Sequence, residues 1–221
     1  MAAGDVRDLL LTKVIMSADG TVAAIISLLH WLVFAEAGDD KWTMVDEASV
    51  WTDVLHYRGQ FYAVDNFGNV FMCELKPLVR VTQIASALVA NKAYRWYLVE
   101  SLGELLLVAR YMTDKPRPFP YAYETKKFEV FRIDQKKETK LVKVESLGDR
   151  MLFLGTVPSF SLSAGDCPGF EGNRIYFTAS CFDIFFDGNH GSNDFGVFKD
   201  GGIQPLPRFD STSLVVWPPA I

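Results

Sequence analysis

The densest collection of possible ligands in the chain is Asp183–Asp194, DIFFDGNHGSND. Asp187, Asn189, His190, Asn193 and Asp194 could offer oxygens and an imidazole to a metal ion. An EF-hand loop opening at Asp187 requires glycine at its sixth position and glutamate at its twelfth. Those positions hold Ser192 and Phe198, so the pattern fails and a polar hairpin loop accounts for the segment. His30 and His56 lie in or beside strand-patterned segments, with no second His or carboxylate at ligand spacing. They read as structural sheet histidines. Cys167 sits in Gly165–Gly169, GDCPG, with no nearby His to activate it, and is expected in a turn. No nucleophile elbow, phosphate loop or dinucleotide fingerprint occurs. The expectation is a non-enzymatic chain with no cofactor, no metal and no assigned catalytic residue; its partner-binding residues are unassigned.

The elements that would position any site are short strands. Trp51–Tyr57 alternates, with Trp51, Asp53, Leu55 and Tyr57 expected on one face and Thr52, Val54 and His56 on the other. Arg58-Gly59 supplies a hairpin turn, and Phe61–Val64 is aromatic and branched, which suits a pleated surface. The cluster Asp65–Asn69 turns the chain into Val70–Leu75, and Lys76-Pro77 breaks it before Val79–Ile84. Four antiparallel strands in sequence make one propeller blade.

The pattern recurs. Candidate blades span 9–46, 50–84, 94–144 and 151–207, with a terminal strand at 213–217, all in a single domain of 1–221. Gly59–Val64, Gly103–Val108 and Gly172–Phe177 open the equivalent strands, and Val-Phe recurs in a third strand at Phe71, Phe131 and Phe198. The spacing exceeds the ~40–50 residues of an ordinary blade. Pro116, Pro118 and Pro120 stiffen one loop that absorbs the excess, and the Ser180–Asn193 loop absorbs the rest. Gln83–Lys92 is either a short Ala-rich helix or a connector between blades. Gly38–Trp42, GDDKW, makes a turn with Trp42 as a core anchor, the alternative being a surface grip for a partner. The fold class is therefore all-β and propeller-like, with about four four-stranded antiparallel blades in a ring that is closed or open.

Composition bounds the rest. Of 221 residues, 49% are hydrophobic and 22% charged, which is globular rather than disordered. The 17 Phe suit sheets packed face to face. A net charge of −5 argues against nucleic acid as a partner. The N-terminus lacks a basic start followed by an apolar core, so no signal peptide is expected. The longest apolar stretch, Val22–Ala35, falls short of the ~20 residues of a membrane-spanning helix. Cys73, Cys167 and Cys181 form no paired motif, and no N-x-[ST] site occurs. Both agree with reduced thiols in an intracellular protein.

Several stretches together resemble a known family. Phe34–Trp42 (FAEAGDDKW), Asp53–Val64 (DVLHYRGQFYAV) and Leu147–Gly155 (LGDRMLFLG) appear in order with Ser161–Ser163, Pro168-Gly169, Asn173–Thr178 and Trp217–Pro219. The set is similar to the plant F-box-associated domain of unknown function, the KIB-type β-propeller domain, over nearly the whole chain. The resemblance implies a plant source and a propeller that presents a substrate, following an F-box that docks on Skp1 in a ubiquitin ligase. This chain shows no helical F-box ahead of its propeller pattern, so Skp1 binding is not expected of it; a protein partner is, without nucleic acid or membrane. Two alternatives stand beside this adaptor. One is a propeller hydrolase with acidic residues such as Asp53, Glu104 and Asp166 converging at the central channel. The other is a shortened product with no independent function.

Overall fold

The computed structural model describes residues 11–26, 29–87, 93, 95–114, 123–134, 141–155, 157–178 and 196–205. They form seventeen β-strands in four sheets and one 3-10 turn. The first sheet is β1 (Leu11–Met16), β2 (Val22–Ile26), β3 (Trp31–Ala35) and β4 (Thr43–Met44). The second is β5 (Trp51–Tyr57), β6 (Gln60–Asp65), β7 (Asn69–Glu74) and β8 (Arg80–Ser86), and the third is β9 (Arg95–Ser101), β10 (Glu104–Asp114), β11 (Tyr123–Ile133) and β12 (Leu141–Val144). Each of these three is antiparallel with its strands in chain order. Together with the fourth sheet they make a four-bladed propeller-like array, as the alternating segments predict.

The turns explain the meander. Arg58-Gly59, Leu102-Gly103 and Asp200-Gly201 all place both central residues at positive φ, between 49° and 81°. That conformation matches the twist of a two-residue hairpin. Glycine adopts it freely at the second position, and the first residue bears the strain.

Side-chain alternation joins one blade to the next. Phe61 and Ala63 face the first sheet and Tyr62 and Val64 the third; Leu105 and Leu107 face the second sheet and Leu106 and Val108 the fourth. The Val-Phe repeat obeys the same rule. Phe71, Phe131 and Phe198 each pack toward the preceding sheet, whereas Val70 and Val130 pack toward the following one. Three buried clusters thus lie between sheets one and two, two and three, and three and four. Among the described residues no such cluster joins the fourth sheet to the first.

The structure departs from the expected pattern in three places. A β-bulge between Trp51 and Asp53 breaks the strict alternation of β5. Trp51 and Val54 consequently share the cluster facing the first sheet, while Leu55 joins the cluster facing the third. The fourth sheet has five strands rather than four, in the order β14 (Phe160–Ser163), β13 (Arg150–Leu154), β15 (Arg174–Phe177), β16 (Gly196–Lys199) and β17 (Gly202–Pro205). Its β13–β15 pair is parallel, because β14 and the 3-10 turn Ala164–Asp166 carry the chain back before β15 starts. The third Val-Phe repeat, at Phe198, thereby moves to the fourth strand, counting from β14. Finally, β8 extends through Ser86, so Gln83–Ser86 is strand and not helix. Residues 88–92, the proline loop, the Asp183–Asp194 segment, Cys181 and the terminal strand at 213–217 lie outside the described residues.

Candidate functional site

Where the inner strands meet, Asp53 is 1% exposed and Lys13 5%. The Lys13 ammonium on β1 forms an ion pair with Asp53 Oδ1 on β5. The same oxygen accepts the Val54 amide at 2.7 Å, and Oδ2 accepts the Leu98 amide on β9 at 2.9 Å. One carboxylate therefore ties three blades together, and both of its oxygens are occupied. Lys13 carries a strand-edge charge into a dry region, which costs free energy unless it is paired.

The other two carboxylates considered for channel chemistry lie elsewhere. Glu104 opens β10 and pairs with Arg132 at 2.9 Å on the surface. Asp166 is exposed in the 3-10 turn. Among the described residues no three His, Cys, Asp or Glu side chains are placed to hold a metal ion. His30 occupies the β2–β3 turn at φ 53°, with Nδ1 3.2 Å from the Trp51 carbonyl. Burial lowers its pKa, and the nearby Arg95 charge adds to the effect. His56 packs against the Phe61 ring at 4.8 Å. Trp42 is half-buried over Ala24, Ile26 and Val33, as the turn-plus-anchor pattern implies. Cys167 caps the 3-10 turn.

Cys73 lies on β7 in the cluster between the first two sheets, and burial pushes its thiol up to about 12. The thiolate is the reactive form. At pH 8 iodoacetamide is expected to modify half-buried Cys167 well before Cys73, which becomes reactive only as urea unfolds the chain. Peptide mapping of the alkylated protein reads this directly, and equal labelling of both in the folded state would contradict it.

Two buried or half-buried polar groups were not legible from residue spacing. Arg110, 1% exposed, donates from Nε to Thr125 Oγ1 at 2.8 Å and from one terminal nitrogen to Tyr97 Oη at 2.9 Å and the Thr178 carbonyl at 3.0 Å. Its guanidinium lies 4.8 Å from the centroid of Phe177. This joins the third and fourth sheets. The other is Tyr111, which donates to Glu129 Oε2 at 2.5 Å across β10 and β11 while Lys127 lies 4.3 Å above its ring. The phenol's bond, with Lys127 beside it, holds Glu129 below the usual carboxylate range. Because the folded value lies below the unfolded ~4.3, this stabilisation is present at neutral pH and lost as pH falls through the folded value. The stability difference between wild type and Tyr111→Phe should therefore be largest near pH 7 and shrink toward pH 3 in urea titrations. A difference independent of pH would refute the assignment.

Clefts mark the two later junctions between blades. Between sheets two and three lies one of about 370 Å³, where Tyr57 Oη and an Arg58 nitrogen both donate to the Gly103 carbonyl, at 2.6 and 2.7 Å. Between sheets three and four lies another of about 350 Å³, floored by Phe128, Val130, Ile175 and Phe198. On the far face of the fourth sheet, Phe153 stacks on Phe160 at 4.8 Å and on Tyr176 at 4.9 Å, and Phe170 meets Tyr176 edge-on. These surfaces suit recognition by shape and apolar contact.

The model of the KIB1-4 beta-propeller family matches residues 4–199. The chain belongs to that family. Relatives include the F-box protein SKIP23 of Arabidopsis thaliana, 30% identical over 92% of this chain, and the F-box protein At2g17036 of the same plant, 29% identical over 82%. The chain spans about half the length of these relatives, 54% and 47% respectively. No helix among the described residues is long and apolar enough to cross a membrane.

Proposed function

We propose that this chain is a non-catalytic protein-binding β-propeller domain, the counterpart of the substrate-recognition part of a plant F-box protein in a ubiquitin ligase. The observation that carries this is the family match over residues 4–199, with relatives that are named F-box proteins. The chemistry of the described residues supports it. Asp53 is spent on holding blades together, and Glu104 on a surface ion pair. What the surface offers is clefts between blades and exposed aromatic rings, which suit protein contact. The acidic balance disfavours nucleic acid. The domain spans the whole chain, acts inside the cell, and needs no cofactor.

Immobilised chain incubated with plant extract tests the proposal. It should retain a reproducible protein that excess free chain displaces. Retention of chaperones alone would sink it.

A further inference from the structure

The cleft between the third and fourth sheets coincides with an interruption in β-pairing. Strand β11 pairs with β10 along its length, from Tyr123 opposite Asp114 to Arg132 opposite Leu106. On its outer side β12 accompanies only Val130–Ile133. Beyond Val144 the chain leaves that line. Glu145 and Ser146 lead toward the fourth sheet, where the Leu147 amide donates to Asn173 Oδ1 at 2.8 Å. Alongside Lys127, Phe128 and Glu129 there is, among the described residues, no outer strand. The cleft of about 350 Å³ lies there, lined by those residues and by the chain that departs from β12.

We propose that an extended peptide segment of a partner protein adds here as a strand antiparallel to β11, continuing the line of β12. This rests on the protein-binding function proposed above and names its surface. Three features select such an occupant. Main-chain groups at a strand edge complement another strand, and the pairing itself is indifferent to side-chain identity. The floor of Phe128, Val130, Ile175 and Phe198 accepts alternate apolar side chains, because successive residues of a strand point to opposite faces. Charge provides the third. Lys127 pairs with Glu129 at 3.3 Å and Lys143 with Glu145 at 3.6 Å, whereas Asp200 at the mouth has no ion pair among the described residues. A single lysine or arginine in the peptide would complement it.

The test is selection of random short peptides displayed on phage against the full chain. Enriched peptides should carry apolar residues at every second position and one basic residue. In hydrogen exchange, a synthetic enriched peptide should slow those amides within Lys127–Glu129 that face away from β10, leaving the ones already paired with β10 unchanged. Methylating its backbone nitrogens at alternate residues should weaken binding about tenfold or more, the size of one lost main-chain bond. Asp200→Asn, which keeps a residue tolerant of the left-handed turn, should weaken the peptide several-fold. A norleucine analogue of its basic residue should bind both proteins alike. Failure to enrich any peptide, or binding insensitive both to N-methylation and to Asp200→Asn, overturns strand addition here. A partner still retained from extract in that case leaves the protein-binding function standing, so the two failures are distinguishable.

Discussion

Replacing Asp53 by Asn should destabilise the protein by about 3–5 kcal/mol, the range for removing one member of a buried ion pair. The Lys13 ammonium would be left charged in a site 5% exposed, and the amides of Val54 and Leu98 would lose a charged acceptor. The cost follows from desolvation more than from lost attraction. A buried charge without its partner keeps the penalty of leaving water and recovers nothing. Lys13→Met alone should cost less, because Asp53 keeps its two amide donors. Lys13→Met combined with Asp53→Asn should recover much of the loss, since the uncompensated ammonium is gone. Urea denaturation of the four proteins at pH 7 gives the coupling energy. Additive effects, or a loss below about 1 kcal/mol for Asp53→Asn, would show that the three inner strands do not depend on this carboxylate.

Gly68→Ala should cost about 3 kcal/mol. Gly68 sits at φ +82° in the β6–β7 turn, and a Cβ there would stand 2.5 Å from Trp96 Cζ2 and 2.8 Å from the Ala87 Cβ. The left-handed backbone accounts for about 1–2 kcal/mol of the cost. Displacing a tryptophan that is 2% exposed in a packed core accounts for the rest. Gly20→Ala separates the two effects. Gly20 has φ +87° but nothing within 4 Å of an added Cβ, so only the conformational part should appear. Trp96→Phe in the Gly68→Ala background should relieve part of the overlap that Gly68→Ala creates. Equal losses for the two glycines would mean that Trp96 yields freely and that its packing does not constrain residue 68.

Much of the blade architecture was legible in residue types. Arg58-Gly59 and Leu102-Gly103 mark hairpins because their second residue accepts positive φ. Phe61–Val64 and Leu105–Val108 are apolar on both faces, because each strand is covered by a blade on either side. Period two then sends Phe71 and Phe131 backward and Val70 and Val130 forward. The bulge at Thr52 was not legible, since nothing in the alternation of Trp51–Tyr57 marks one extra residue. Nor was the parallel pairing of β13 with β15, which depends on where β14 returns the chain.

For the candidate site the division is sharper. Sequence alone determined that the chain builds successive small sheets with apolar surfaces on both sides, because local alternation and turn chemistry act within a few residues. It marked Asp53, with Glu104 and Asp166, only as a candidate for channel chemistry. Only the tertiary structure decided that Asp53 faces Lys13 and Leu98, that Arg110 crosses to Thr178, and that β12 stops short beside β11. The first two depend on residues about forty to seventy positions apart, brought together by how whole sheets stack, which no local pattern encodes.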